Sequence, residues 1–197
     1  FSSYPKITEK GFKNSYNFLL KNVNTNADNS TKYKNKKEYE LLSTFLYEST
    51  LPLKKNYGSG NSFFTPKLSL RYSPNKTKNM INEDRRIDIS NIFSLDRIGA
   101  NDTVEGGKSA TVGASYRKIN TNNNEIVSLE LATVYRDESN KDLPSKSTIG
   151  EKASDIVGQL KYSPNSIFKV NYDFSLDSDL KRSNYDLIKT EFNVNNF

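Results

Sequence analysis

The stretch Phe64-Thr65-Pro66-Lys67-Leu68-Ser69-Leu70-Arg71-Tyr72-Ser73-Pro74 alternates apolar and polar side chains along its whole length. Successive side chains of a β-strand point to opposite faces, so the even positions form one apolar face and the odd positions one polar face. The apolar face suits hydrocarbon and the polar face suits water. Repeated segments of about ten residues with this pattern are typical of the wall of a transmembrane β-barrel.

The same alternation recurs along the chain and predicts about ten strands. Segments with this pattern lie at residues 11–23, 38–53, 64–74, 110–117, 127–135, 156–163 and 168–176, and weaker ones lie at residues 1–7, 87–95 and 184–194. Their lengths approach the roughly nine to eleven residues that a tilted strand needs to cross hydrocarbon. We therefore predict an all-β fold in which residues 1–197 form part of an antiparallel transmembrane β-barrel wall, a fragment of a larger outer-membrane barrel.

The composition favours a wall with two unlike faces over a thick hydrophobic core. Of the 197 residues, 34% are hydrophobic and 26% are charged, which leaves little apolar material for a large core. A barrel wall needs apolar side chains on its outer face alone, because its lumen stays wet. The 12 Tyr and 11 Phe residues argue against disorder. No apolar run is long enough for a membrane helix, so any membrane crossing uses strands.

The polar segments between the strands predict the connections. We expect long exposed loops at residues 22–36, 75–86 and 137–152 and short turns at residues 57–61, 118–124 and 164–165. In outer-membrane barrels the periplasmic turns are short and the outer loops are long. With a strand at residues 87–95, however, two long loops fall on the side of the short turns, so one strand assignment is wrong. A helix remains an alternative for residues 38–53.

The residue content excludes several kinds of chemistry. The chain has no Cys and no His, so we expect no disulfide, no cofactor, no thiolate metal site and no His-dependent hydrolytic triad within it. The acidic pairs Asp177 with Asp179 and Glu83 with Asp84 lack the spacing of a calcium loop and indicate solvated loops. The net charge of +6 comes from scattered Lys and Arg, which does not favour nucleic-acid binding. We predict neither an enzyme nor a metal site.

One constellation of residues carries family information. It consists of Asn91-Ile92-Phe93-Ser94-Leu95-Asp96-Arg97, then Asp102, then Val104-Glu105-Gly106-Gly107, and the strand Ala110-Thr111-Val112-Gly113. Here the chain resembles the barrel of LptD, the lipopolysaccharide-assembly family of Gram-negative outer membranes, in its C-terminal OstA-type domain. Residues 66–74 and 157–165 agree with the same family, in the family's order. Together these passages span about half of the chain.

In the family pattern, a strand ends in Phe-Ser and Asp-Arg and leads to a Gly-x-Asp-Arg-x-Glu-x-Gly loop and then to a strand that bears Gly. The resemblance implies that a set of motif residues is structural and holds a loop over the barrel mouth: Asp96, Arg97, Asp102, Glu105, Gly106, Gly107 and Gly113. The chain departs from the pattern at Thr103, where the family has Arg, and at Ala100, where it has Gly. Any ion pair of that Arg is missing here. Direct contact with a lipid headgroup remains an alternative role.

The resemblance implies that the whole protein is a conduit, which receives lipopolysaccharide from a periplasmic bridge and passes it into the outer leaflet. It implies an LptE-type plug lipoprotein, a bridge of LptA and LptC, and outer-membrane lipids as partners, with the cell outer membrane as location. Because a charged sugar head needs a wet lumen, we expect a set of polar side chains to face that lumen: Lys67, Arg71, Lys161, Lys169 and Asp173.

The alternation by itself leaves other functions open. Another outer-membrane barrel, such as a porin or a receptor for small solutes, has the same pattern. A soluble or secreted β-rich binding module, with loops that contact protein or sugar, is an alternative of a different class. The chain begins at Phe1 without a leader, and we expect a fragment of a longer protein.

Overall fold

A computed structural model describes residues 1–30 and 33–193. It shows one antiparallel sheet of ten strands, and the only helical element in the described residues is a short 3-10 turn at Thr148–Gly150. Within those ranges, no helix combines the length and the apolar character needed to cross a membrane. Residues 31–32 of the predicted loop at 22–36, and residue 194 at the end of the predicted last strand, lie outside the described residues. The all-β antiparallel prediction is confirmed.

The strands pair mainly with their neighbours in sequence. They are β1 Lys6–Ile7, β2 Lys13–Thr25, β3 Glu38–Thr50, β4 Leu53–Tyr57, β5 Gly60–Ser73, β6 Gly107–Asn120, β7 Glu125–Arg136, β8 Ile156–Tyr162, β9 Phe168–Leu176 and β10 Ser183–Phe192. In space the order is β1-β2-β3-β5-β6-β7-β8-β9-β10, with β4 paired to β5. Among the described residues the sheet is open, and β1 and β10 form its two edges.

Strands β3 and β4 together form one interrupted partner for β5. Thr50 pairs with Lys67 and Leu53 pairs with Phe64, so both strands keep the same register. Pro52 interrupts the ladder between them because it has no backbone N–H to donate. On its other side, β3 pairs with β2 along its whole length. The helical alternative for this segment is therefore wrong.

Residues 87–95 do not form the predicted strand. Asp88 Oδ1 accepts a hydrogen bond from the backbone N–H of Ser90 at 2.7 Å, and Asn91 Oδ1 accepts one from that of Asp88 at 3.0 Å. The N–H of Ile92 then donates to the carbonyl of Asp88 at 2.9 Å. Such local bonds from short polar side chains favour turns over sheet ladders. The segment belongs to one long connection between β5 and β6.

Without that strand, short and long connections alternate strictly between the two ends of the sheet. One end, here called the short-turn end, has the connections at residues 8–12, 58–59, 121–124 and 163–167. The other end, the long-loop end, has the connections at residues 26–37, 74–106, 137–155 and 177–182. The conflict over loop parity in the sequence came from the wrong strand at residues 87–95.

The two faces of the sheet differ in character. One of them, here called the apolar face, carries rows of apolar side chains such as Tyr47, Leu70, Ala110 and Tyr135. Leu70 is 47% exposed, whereas its neighbours Ser69 and Arg71 on the other face are 1% and 3% exposed. A soluble protein usually buries its apolar side chains and exposes its charged ones. This sheet does the reverse.

The opposite face, here called the loop-covered face, is buried by the connections at residues 74–106 and 137–155. Val134 of β7 and Val157 of β8 belong to one apolar cluster with side chains from both connections. The buried loop members of this cluster are Met80, Ile87, Ile92, Ile98, Ala100, Leu143 and Ile149. The main core of the protein therefore lies between the sheet and its own loops.

Candidate functional site

A single carboxylate, that of Glu105, lies among three guanidinium groups on the loop-covered face. Arg97 donates from Nε to Oε2 at 2.8 Å and from Nη2 to Oε1 at 2.5 Å. Arg136 donates from Nη1 to Oε1, and Arg71 Nη1 lies 3.9 Å from Oε2. No side chain of the four is more than 2% exposed. These residues form a closed ionic group, here called the Glu105 cluster.

The strand register positions the two arginines that belong to strands. Ser109 of β6 pairs with Arg71 of β5 on one side and with Arg136 of β7 on the other. The two arginines are therefore about 10 Å apart at their backbones, since neighbouring strands are separated by about 4.8 Å. Glu105 enters this gap from the connection before β6. Arg97 comes from the same connection and donates to Ser109 Oγ at 2.7 Å.

The charges within the Glu105 cluster do not balance. Burial by itself raises the pKa of the Glu105 carboxyl, but the fields of Arg97, Arg71 and Arg136 outweigh it and hold this pKa at about 2. Backbone carbonyls take further guanidinium donors: Arg71 Nη1 donates to Glu105 O at 2.7 Å, and Arg136 Nη2 to Gly106 O at 2.5 Å. The carboxylate is ionised at neutral pH. Its removal would leave three buried guanidinium groups without their shared counter-ion.

The three motif glycines lie where a side chain has no room or the wrong geometry. A Cβ atom on Gly106 would stand 2.1 Å from the carbonyl oxygen of Asn75, and one on Gly113 would stand 2.9 Å from the Phe93 ring. Gly107 has a φ of +91°, which residues with a side chain rarely adopt. These glycines allow the loop backbone and the Phe93 ring to lie directly against the sheet.

The two aspartates of the motif lie outside the Glu105 cluster. Asp96 forms an ion pair with Lys21 of β2 at 2.9 Å. Asp102 accepts a hydrogen bond from the hydroxyl of Tyr33 in the connection after β2. Each aspartate thus connects the loop at residues 74–106 to β2 or to the connection that follows β2, away from the Glu105 cluster.

The five residues predicted to line a lumen all lie on the loop-covered face. Arg71 joins the Glu105 cluster and Lys161 is exposed. The other three have polar partners on the same face: Lys67 with Glu130 at 2.9 Å, Asp173 with Gln159 at 2.5 Å and Lys169 with Glu191 at 3.9 Å. Whether water fills the space beyond this face stays a prediction.

The loop-covered face also borders a cavity of about 710 Å³. It lies between the connections, at residues 84–90 and 146–147, and strands β8 to β10, and aspartates, lysines and an arginine line it together. Asp155 Oδ2 accepts hydrogen bonds from Ser175 Oγ and Asn184 Nδ2, both at 2.8 Å. The described residues hold no group of three or more His, Cys, Asp or Glu side chains that could bind a metal ion. The lining residues make the cavity polar, with charges of both signs.

Arg136 completes the Glu105 cluster, but the sequence pattern did not identify it. The even positions of β7 face the loops, yet they include Ala132 and Val134, which pack against the loop core. Those apolar side chains hide the alternation in this strand. One feature of the sequence could have identified Arg136. Like Arg71, it is a basic residue on the polar side of a strand, close to the long loop that follows the strand.

One protein family has a model that matches nearly the whole chain. This is LptD, described as LPS transport system D, and the match covers residues 10–197. It includes every strand from β2 to β10 and the complete Glu105 cluster. None of the curated proteins compared with the chain matches it.

Proposed function

Because the chain belongs to the LptD family, we propose that it forms part of the wall of an outer-membrane β-barrel that inserts lipopolysaccharide into the outer leaflet. In this role it is a conduit and not a catalyst. The observation that carries the proposal is the distribution of charge on the apolar face of the sheet. From β2 to β9, charged side chains occur there only at the two rims, and the band between the rims is uncharged. Asp186 of the edge strand β10 also lies on this face, opposite Phe174.

From β2 to β9, all charged side chains of the apolar face are lysines: Lys55, Lys108 and Lys118. Lys108 lies near the long-loop end of β6, and Lys118 lies near its short-turn end. The ten-residue separation between them corresponds to about 33 Å along the strand, or about 25 Å along the membrane normal at a tilt of roughly 40°. The apolar band of outer-membrane barrels is also about 25 Å high. The uncharged band therefore fits the hydrocarbon layer.

The two ends of the sheet give the orientation in the membrane. Outer-membrane barrels have short turns on the periplasmic side and long loops outside. We therefore assign the short-turn end to the periplasm and the connections at residues 74–106 and 137–155 to the outer side. In this orientation the Glu105 cluster holds a folded loop against the inner wall near the outer mouth.

Transport of an amphiphile needs two different surroundings. A charged sugar head requires a wet passage, and acyl chains require a lateral exit to the lipid. The polar residues of the loop-covered face, including Lys67, Lys161, Lys169 and Asp173, would border the passage, together with the mixed-charge cavity. The apolar face would meet the acyl chains of the membrane.

The open edges and the family suggest the partners. Strands β1 and β10 leave backbone groups unpaired at the edges, and hydrocarbon cannot satisfy such groups. We propose that other strands pair with both edges and complete the barrel. An LptE-type lipoprotein inside the barrel and an LptA and LptC bridge at the short-turn end are the protein partners of this function.

Photo-crosslinking in cells tests the transport role. A photoreactive residue replaces Lys161 on the loop-covered face of the complete gene product, and in a matched variant it replaces Tyr162, the next residue, on the apolar face. The proposal predicts a lipopolysaccharide adduct at residue 161 and none at residue 162. Depletion of the protein should also strip lipopolysaccharide from the cell surface. No adduct at either position, with steady ion conductance by the purified barrel, would instead indicate a porin.

A further inference from the structure

Two lysines of the apolar face flank one serine at the short-turn end. Ser62 of β5 pairs with Lys55 of β4 on one side and with Lys118 of β6 on the other. Because neighbouring strands lie about 4.8 Å apart, the backbones of the two lysines are about 10 Å apart with Ser62 between them. Both side chains are long enough to bring their ammonium groups over Ser62.

Hydroxyl groups occupy the space between these lysines. Ser62 is only 7% exposed, and its Oγ lies 3.2 Å from the hydroxyl of Tyr116. Lys55 Nζ lies 5.1 Å from the ring centroid of Tyr57, which keeps the lysine at the rim of the apolar band. Serine and tyrosine hydroxyls donate to anionic oxygens, and ammonium groups do so with full charge. One of the two hydroxyls donates to the other, so the spot offers two cations and one free hydroxyl donor to a ligand outside the wall.

No carboxylate neutralises these two lysines in the part of the chain that the structure describes. The neighbouring cations Lys54 and Arg117 point to the opposite face, where both lie over the ring of Phe63. Arg117 also lies 3.9 Å from the carboxylate of Glu125. The apolar face of β2 to β9 has no acidic side chain at all. The basic residues of this corner are thus divided, and two of them face outward without a counter-ion from the sheet.

We propose that Lys55, Lys118, Ser62 and Tyr116 bind the phosphate of an anionic phospholipid in the leaflet next to the short-turn end. This inference rests on the proposed function, since it requires the apolar face to meet lipid. The acyl chains of that lipid would lie along the uncharged band, beginning at Phe64 on the same face of β5. A zwitterionic phospholipid brings its own cation to the site and loses part of the attraction.

Lipid retention by the complete gene product tests this site. The protein is purified in mild detergent with phosphatidylglycerol or phosphatidylcholine, and native mass spectrometry counts the retained lipid. The double variant Lys55→Gln with Lys118→Gln removes both outward charges. The matched control, Lys54→Gln with Arg117→Gln, removes two charges from the adjacent residues, which face the other way.

Loss of phosphatidylglycerol in the double variant alone would support the site. We expect retention to weaken about fivefold for each lysine and about thirtyfold for both, from the attraction of a basic residue to an anionic lipid surface. Phosphatidylcholine retention and the control should change little. Equal loss in the double variant and the control, or no loss in either, would overturn the site. Displacement of the lipid by inorganic phosphate would show a free-phosphate site and would overturn the lipid assignment.

A second measurement separates failure of this site from failure of the proposed function. Folded outer-membrane barrels migrate differently in gels before and after heating. If the double variant keeps this heat-modifiable form and retains phosphatidylglycerol like the wild type, the proposed lipid site is wrong. The proposal of a membrane wall would not be affected. If the wild-type protein has no heat-modifiable form and stays soluble without detergent, the membrane wall itself is wrong.

Discussion

Arg97 donates to both carboxylate oxygens of Glu105, at 2.8 and 2.5 Å, and neither side chain is more than 1% exposed. Both residues belong to the connection before β6, and together they contact Arg71 of β5, Ser109 of β6 and Arg136 of β7. Removal of one partner from a buried ionic group leaves uncompensated charge, which costs more than the pair contributes. The attachment of this connection to β5, β6 and β7 therefore depends to a large extent on one carboxylate.

We expect Glu105→Gln to release the connection at residues 74–106 from the sheet. Three buried guanidinium groups would then surround a neutral amide, and the free energy of unfolding should fall by about 3–5 kcal/mol. The urea midpoint of the complete gene product in detergent measures the loss, and trypsin cleavage within the connection reports the release. Glu151→Gln is the control, because Glu151 is exposed. Identical midpoints for the two variants would contradict the role of the Glu105 cluster.

Acid should release the same connection, whereas pH changes between about 5 and 8 should not. The pKa of Glu105 is lowered from 4.5 to about 2, so its contribution to stability is complete above pH 4.5 and is lost as the pH falls towards 2. The chain has no His, so no imidazole titrates near neutrality. The urea midpoint of the complete gene product in detergent should therefore fall between pH 4.5 and 2, with no step between pH 8 and 5. A transition near pH 6 would show that another group controls the loop.

Gly106→Ala should weaken the loop attachment without any change of charge. The new Cβ atom would stand 2.1 Å from the carbonyl oxygen of Asn75, so backbone must move, at a cost of about 1–3 kcal/mol. Gly58→Ala is the matched control, since a Cβ atom there meets nothing within 4 Å. Thermal unfolding of both variants in detergent measures the difference. A Gly106→Ala protein as stable as the Gly58→Ala protein would mean that the close approach is absent.

A charge in the middle of the uncharged band should be costly, and the same charge at the rim should not be. Leu68→Arg places a guanidinium in the row of Val112, four residues from Lys108 and six from Lys118, where it should cost about 2–4 kcal/mol. Tyr72→Arg places one in the row of Lys108, where the cost should be at most about 1 kcal/mol. For each variant, the measurement is the fraction of protein in membranes that migrates in the folded, heat-modifiable form. Equal fractions would argue against a hydrocarbon layer at Leu68.

Alternation of side chains was sufficient to predict most of the sheet. Strand β8 occupies Ile156–Tyr162 and β9 occupies Phe168–Leu176, within one residue of the predicted segments. The signal is strong there because one side of each strand carries large apolar residues and the other side polar ones. It was also strong at residues 64–74, where β5 begins four residues earlier than predicted, at Gly60.

The loops set the limit of that signal. Ile87 and Ile89 alternate with Arg86 and Asp88 as in a strand, but they pack in or against the core between the loops and the sheet. Alternation shows that apolar side chains share one side of a segment, and it does not show what lies against that side. For the same reason, Val134 on the polar side of β7 hid the role of Arg136. The family motif identified Arg97 and Glu105, but no local pattern could supply the partners that the strand register brings to them.

In the proposed wall the apolar face meets lipid and the loop-covered face meets water, and cysteine labelling distinguishes these two surroundings. The chain has no native Cys, and two positions on opposite faces are similarly exposed in the sheet: Val112 at 46% and the Lys169 side chain at 51%. In native membranes, a water-soluble maleimide should label the complete gene product with Lys169→Cys and leave the one with Val112→Cys unlabelled. Equal labelling of the two variants would rule out a lipid-facing apolar face, because it would mean that water reaches both faces.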